Sequence, residues 1–253
     1  MPDDVIAAHY QRLGPIYNAL LEYSPEFVRR LTTRMIEKLR LEPDDLLVDL
    51  GTGTGLYSVD ILRQVPLRQP VVGVDPSEAM LAHIPDDAHI TPVVDDALSF
   101  SARPGTYDKV LIKEAIHHVD ERGELFGNLY QRLRPSGVLL LVQVPPRVRY
   151  PLFRAALERC TSWHADPDEL TRLLEKSGFE VDRDSVEYRH TLPTEAYHDM
   201  VRNRYMSVLS TFSDEELRAG LDEMARTHAG TSQLSFVDHF DYLTAVKPAA
   251  RAA

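Results

Sequence analysis

The chain alternates short apolar runs with longer segments in which apolar residues recur at helical spacing. Leu46 to Leu50, Val71 to Val74, Ile90 to Val94, Tyr107 to Ile112 and Val138 to Val144 have the length and β-branched content of buried strands. Helical patterns follow from about Leu56 and from Asp120 to Leu133, and Pro135-Ser136-Gly137 supplies a turn into the fifth run. Asp168 to Lys176 reads as an amphipathic helix closed by Gly178, with Phe179 to Thr191 and Leu234 to Val246 as the last two strands. This alternation predicts a doubly wound α/β fold. Two segments stand outside it. Residues 1–41 are helical in pattern, interrupted at Gly14-Pro15, and are expected to form an N-terminal cover. Residues 194–228 carry two helical patterns broken at Phe212-Ser213-Asp214 and are expected to form a helical lid.

Composition narrows the class. At 253 residues the chain is long enough for a large core and is expected to form a single domain. Lys and Arg number 28 against 39 Asp and Glu, a formal charge of −11, which argues against nucleic acid or an anionic membrane as the main partner and for a small-molecule substrate. The one cysteine, Cys160, lies in a helical pattern and excludes internal disulfides and paired-thiol zinc sites. No signal peptide or apolar run of spanning length is seen, so the expectation is a cytoplasmic protein; a monomer or homodimer is expected, and the sequence does not choose between them.

The most informative stretch is Asp49-Leu50-Gly51-Thr52-Gly53-Thr54-Gly55. Its glycines allow positive φ and close backbone approach between a strand and a helix. A dinucleotide fold calls for a further glycine where Leu56 stands, and Asp49 repels a pyrophosphate. The same carboxylate suits the ammonium and sulfonium of S-adenosylmethionine. Asp75 ends the second run and is placed to accept the hydroxyls of an adenosine ribose, and a carboxylate in Asp95-Asp96-Ala97 is placed for the adenine amino group.

Through D-L-G-T-G-T-G, G-V-D-P-S-E-A-M-L and the Asp96-Ala97 pair, the chain resembles the class I S-adenosylmethionine-dependent methyltransferases, continuously from about Leu46 to Val144. The resemblance implies a Rossmann-like, seven-stranded, mostly parallel sheet whose last two strands form an antiparallel hairpin. It implies cofactor contacts from Asp49, Gly51, Thr52, Gly53, Gly55, Asp75, Pro76, Met80, Asp96, Ala97 and Lys113. It also implies an N-terminal segment folded over the cofactor's amino-acid end, where Tyr10 and Tyr17 either touch cofactor or substrate or staple the helix to the core.

Candidate chemistry comes from histidines. Of ten, His117, His118, His190, His198, His228 and His239 all follow the fourth strand, while His9, His83, His89 and His164 are scattered. The fourth strand is expected to end at the reaction centre with Lys113, Glu114, His117 and His118, and His239 on the last strand is expected to converge there, with Asp238 beside it. His117, His118 and His239 are therefore the expected catalytic groups, as bases or, for His118 and His239, as ligands of a divalent metal ion. In the lid, Arg204 and Tyr205, with Arg202 and Asn203, either bind a substrate carboxylate or form a solvated face. No Asn/Asp-Pro-Pro-Tyr/Phe run follows the fourth strand, and no cysteine lies in the motif regions, which leaves a small oxygen or carbon acid as acceptor. K-E-A-I-H-H-V and D-H-F-D-Y-L make the chain similar to bacterial α-keto acid C-methyltransferases of secondary metabolism. That resemblance implies methylation beside a ketone, with metal- or histidine-assisted enolisation. The alternative is a metal-independent small-molecule O-methyltransferase.

Overall fold

The structure, a computed structural model, describes residues 3–13 and 24–249. Tyr17 lies outside them. Seven strands, β1 (Leu47–Leu50), β2 (Val71–Asp75), β3 (Ile90–Val94), β4 (Tyr107–Lys113), β5 (Leu133–Gln143), β6 (Glu180–Pro193) and β7 (Gln233–Val246), form one sheet in the order β3-β2-β1-β4-β5-β7-β6. The first five pair in parallel, and β7 runs antiparallel to both β5 and β6. Side chains alternate between the two faces of this sheet. Val48, Val110, Ile112 and Leu139 enter one apolar cluster, and Leu47, Leu111, Val138 and Leu140 enter the other. Burial on both faces is what parallel strands flanked by helices require, and it explains why the runs read as continuously apolar.

β5 starts earlier than the apolar run. Leu133 pairs with Tyr107 before an irregularity, and pairing resumes at Val138 opposite Lys109, with Ser136 in left-handed backbone at φ 65°. The Pro-Ser-Gly turn is thus a bulge inside a strand, and the preceding helix, Arg122–Arg132, ends one residue short of the expected Leu133.

Two features of the sheet place the site. Strand order reverses between β1 and β4, the point at which the carboxyl ends of a doubly wound sheet open a crevice. In addition, β5 pairs only as far as Gln143 with Asp241, so residues 233–240 of β7 pair with β6 alone and project past the carboxyl end of β5. That two-stranded ribbon forms a wall beside the crevice.

The remaining helices close it. The helix Pro25–Leu39, capped by Ser24 Oγ accepting from the Phe27 amide at 3.1 Å, buries Phe27, Leu31, Met35 and Leu39. The lid comprises the helix Thr194–Arg202, a 3-10 turn Ser207–Thr211 and the helix Asp214–Thr227. Its break falls at the expected place because Ser213 and Glu216 form a capping box. The first helix, Asp3–Leu13, reaches the lid through His9 Nδ1 with Ser210 Oγ and through Arg12, which donates to the Asn203 carbonyl at 3.0 Å. Among the described residues no helix is long and apolar enough to cross a membrane.

Candidate functional site

The glycine loop is built by three left-handed residues, Gly51 (φ 81°), Gly53 (φ 57°) and Gly55 (φ 73°), the last of which starts the helix Leu56–Gln64. Gly51 meets a second requirement: a Cβ there would stand 2.3 Å from the Ala115 Cβ. The loop is tied to β2, since the amides of Gly51 and Thr52 donate to the Val74 carbonyl at 2.8 and 3.0 Å. Asp75 completes the tie. Its two oxygens accept the amides of Gly53 and Ser77, each at 2.9 Å, which orients the carboxylate and leaves one lone pair on each oxygen for a diol.

Asp49 is buried at the end of β1, where its Oδ2 accepts the hydroxyls of Thr52 (2.8 Å) and Ser58 (2.6 Å). Burial pushes both the Asp49 and Asp75 carboxyls above the ordinary range, against the hydrogen bonds that hold their charge. A cationic ligand group beside Asp49 would favour its charged form again. Lys113, at the end of β4, lies 4.2 Å from the Tyr57 ring centre and 5.1 Å from that of Phe240. Glu114 adopts left-handed backbone at φ 54° and accepts the Val144 amide at 2.5 Å, fixing the turn that follows β4.

These groups share one cavity of about 700 Å3. Asp49, Gly51, Thr52, Gly53, Asp75, Pro76, Met80, Asp96, Ala97 and Lys113 all line it. Gly55 does not, and acts by turning the chain into its helix. Asp96 is exposed and spends Oδ1 on the Ser99 amide as a helix cap. Tyr150, Trp163, Leu192, Met200, Tyr205, Met206, Val208, Phe236 and Phe240 form an aromatic and aliphatic chamber beyond them, with Tyr10, His117, His118, His164, His190 and Asp238 among its polar groups.

His118 Nε2 and the Tyr10 hydroxyl lie 3.1 Å apart. The His117 ring packs 4.0 Å from His118 and 5.4 Å from His164, centre to centre, and none of the ring nitrogens of His117 and His164 has a hydrogen-bond partner among the described residues. Burial lowers all three titrations: His117 falls well below the usual imidazole range, with neighbouring His118 and His164 adding to the effect, and His118 falls to about 4. Near neutral pH these rings are uncharged.

Three expectations are corrected. His239 is not in the chamber: strand alternation turns it to the other face, opposite Glu187, with Nδ1 3.3 Å from Glu187 and Nε2 3.4 Å from Asp241. His118 and His239 therefore cannot share a metal ion, and among the described residues no group of three or more His, Cys, Asp or Glu side chains is placed to hold one. The donor set does not fit the expected ion. Arg204 is a structural clip: it follows the first lid helix in left-handed backbone, donates to the carbonyls of Leu209 (2.6 Å) and Phe212 (2.7 Å) and pairs with Asp214. Tyr205 does line the cavity, with its hydroxyl 3.2 Å from that of Tyr197.

Of the other histidines, His198 and His228 pair with each other at 2.9 Å away from the cavity. His164, set aside as scattered, reaches the chamber at the end of the helix Arg154–Trp163, and nothing local in the sequence marks that docking. The alternation Phe236, Asp238, Phe240 was a usable signal for the β7 wall.

A sequence profile described as a methyltransferase domain matches residues 20–183. The ubiquinone/menaquinone biosynthesis C-methyltransferase of Geobacter sulfurreducens is 28% identical over an alignment 151 residues long that covers 55% of this chain and 58% of that protein. The chain thus spans little more than half the length of that curated relative. Among solved structures, phosphoethanolamine N-methyltransferase 2 of Haemonchus contortus in complex with S-adenosylmethionine superposes with a TM-score of 0.57 at 20% identity, over 87% of this chain and 52% of that one. A [4+2]-cyclase, SpnF, superposes with a TM-score of 0.66 at 17% identity, over 97% and 96%. Identities this low show a shared fold. The profile match covers well over half of the chain and contains the glycine loop and the strand-end acids, and on that ground the chain belongs to the class I S-adenosylmethionine-dependent methyltransferase family.

Proposed function

We propose that the protein transfers a methyl group from S-adenosylmethionine to a small, largely apolar acceptor, at an oxygen or carbon that becomes nucleophilic on losing a proton. The observation that carries this is one continuous cavity, furnished at the glycine loop for a cationic nucleoside and elsewhere as an aromatic chamber with polar groups on its walls. Asp49 would hold the cofactor's positive amino-acid end, Asp75 its ribose, and Met80 and the Asp96-Ala97 segment its base. When bound, the cofactor supplies an electrophilic methyl. The chain's own part is to hold the acceptor in line with it, to exclude water with the lid, and to take up the acceptor's proton.

His117 and His118 stand at the end of β4 as uncharged rings, suited to hydrogen-bonding an acceptor. Tyr10 and Tyr205 offer hydroxyls to it, and the mixed aromatic lining suits a ring-bearing or branched body. The similarity to a quinone-pathway C-methyltransferase favours carbon as the attacking atom. The fold alone does not choose the reaction, because a cyclase shares it.

A second reading, C-methylation of an α-keto acid, keeps one support. Lys113 is the only Lys or Arg among the described residues lining the cavity and is the group left to meet a carboxylate once Arg204 is turned away. The test is transfer of labelled methyl from S-adenosylmethionine to three sets of acceptors: phenols, neutral enolisable dicarbonyls and α-keto acids. The proposal expects product with one of the neutral sets. Product with α-keto acids alone, abolished by Lys113→Met, moves the assignment to the second reading, and tight cofactor binding with no product in any set refutes both.

A further inference from the structure

The ribbon wall carries a buried, hydrogen-bonded histidine–aspartate couple among rings. His190 on β6 stands opposite Phe236 of β7, and Asp238 stands opposite Tyr188, so His190 and Asp238 are diagonal neighbours on one face. His190 Nε2 lies 2.7 Å from Asp238 Oδ2, both side chains are less than a tenth exposed, and both line the cavity. The rings of Phe27, Tyr188 and Phe236 pack 4.7, 4.9 and 5.3 Å from that of His190 and hold its plane. Apolar side chains of equal volume would serve packing at least as well as a buried hydrogen-bonded polar couple, so its place on the cavity wall calls for a chemical reason.

We propose that His190 is the catalytic base of the methyl transfer and Asp238 its positioning residue, which makes the acceptor a phenol, an enol or another weak acid. The inference rests on the methyl-transfer reading above and deepens it. With Asp238 accepting the Nε2 proton, the lone pair of the ring resides on Nδ1. The acceptor's O–H or C–H bond breaks and its proton goes to Nδ1. The electron pair left behind forms the new bond to the methyl carbon as the carbon–sulfur bond of the donor breaks, and that pair stays on sulfur. The imidazolium, held by Asp238, then gives its proton to water. Among the described residues no carboxylate partners His117 or His118 to retain a proton, and their titrations are pushed down by burial. Among the described residues, polar groups facing the couple include Lys113, which reaches over Phe240, and the hydroxyls of Tyr57 and Tyr205, on which the Asp238 charge acts.

The experiment uses the whole chain saturated with S-adenosylhomocysteine and 4-nitrophenol as probe, whose phenolate absorbs in the visible. One pH unit below the probe's own midpoint, the wild type is expected to bind it predominantly as phenolate. His190→Gln is expected to bind it as the neutral phenol, and Asp238→Asn to lower the bound phenolate-to-phenol ratio about tenfold or more, with Asp238→Glu restoring it in part. Nitrogen NMR of the wild type, which needs no variant to fold, is expected to show the His190 tautomer protonated at Nε2. A neutral bound probe in the wild type, failure to bind it, unchanged phenolate in His190→Gln, or the Nδ1-protonated tautomer each overturns the assignment. These readouts do not depend on turnover, so a failure of the methyl-transfer reading shows separately, as absent product in the acceptor sets.

Discussion

At the scale of single residues, the cavity is lined by carboxylates and imidazoles whose titrations are shifted chiefly by burial. Asp75 holds two loop amides and faces the cavity, so Asp75→Ala removes the loop's anchor and, on the proposed function, the acceptors for the ribose diol. S-adenosylmethionine affinity is expected to fall by about 1–3 kcal/mol, roughly five- to 150-fold, in a protein that still folds. Calorimetry reads this directly, and unchanged affinity would place the ribose elsewhere. The histidines make a separate statement about acid. His118 and His9 both titrate at about 4 in the folded chain against 6.5 when unfolded, mainly through burial. Between those values the unfolded chain binds the extra protons, so this part of the stability is lost as pH falls from 6.5 toward 4. Asp49 and Asp75, shifted upward, act in the opposite sense. His118→Gln is therefore expected to lose less stability than the wild type between pH 7 and pH 5, by up to about 2 kcal/mol. Denaturant melts at the two pH values measure the difference, and parallel losses would contradict the assignment.

At the scale of elements, the lid depends on a clip as well as on its helices. Arg204 ties the end of the first lid helix to the 3-10 turn and to the start of the second. Arg204→Met keeps the stem but leaves the Leu209 and Phe212 carbonyls without that donor. Faster amide exchange across residues 203–214 is expected, with cofactor affinity within about twofold of wild type, because the clip touches no cofactor residue. A large loss of cofactor affinity with unchanged exchange would restore Arg204 to a ligand-binding role. The same element shows where sequence patterning reaches its limit. The break at Phe212-Ser213-Asp214 was legible because capping is local chemistry. The arginine's target was not, because guanidinium donors serve a carbonyl cage or a carboxylate equally well and only the path of the chain chooses.

At the scale of the whole molecule, the cavity is closed by parts far apart in sequence. Tyr10 meets His118, His9 meets Ser210 and Arg12 meets the Asn203 carbonyl, so the first helix locks to both the β4 turn and the lid. Deleting residues 1–13 is expected to leave the sheet folded and to speed S-adenosylmethionine dissociation by roughly tenfold, as followed by stopped-flow fluorescence. An unchanged dissociation rate would mean that the first helix does not gate the cofactor.

The strands, the glycine loop and the acids Asp49 and Asp75 were legible in the sequence because each rests on short-range physics: periodic burial, positive φ, and charge at a strand end. Convergence of the chamber was decided by tertiary structure. Whether a histidine on β7 enters the cavity depends on which of two faces its position takes, and the register that turns Asp238 inward turns His239 outward. His164 and Trp163 reach the chamber because one helix docks there, and His190 finds Asp238 only through the pairing of strands nearly fifty residues apart. Local sequence sets what each segment is, and long-range packing selects which of its side chains meet.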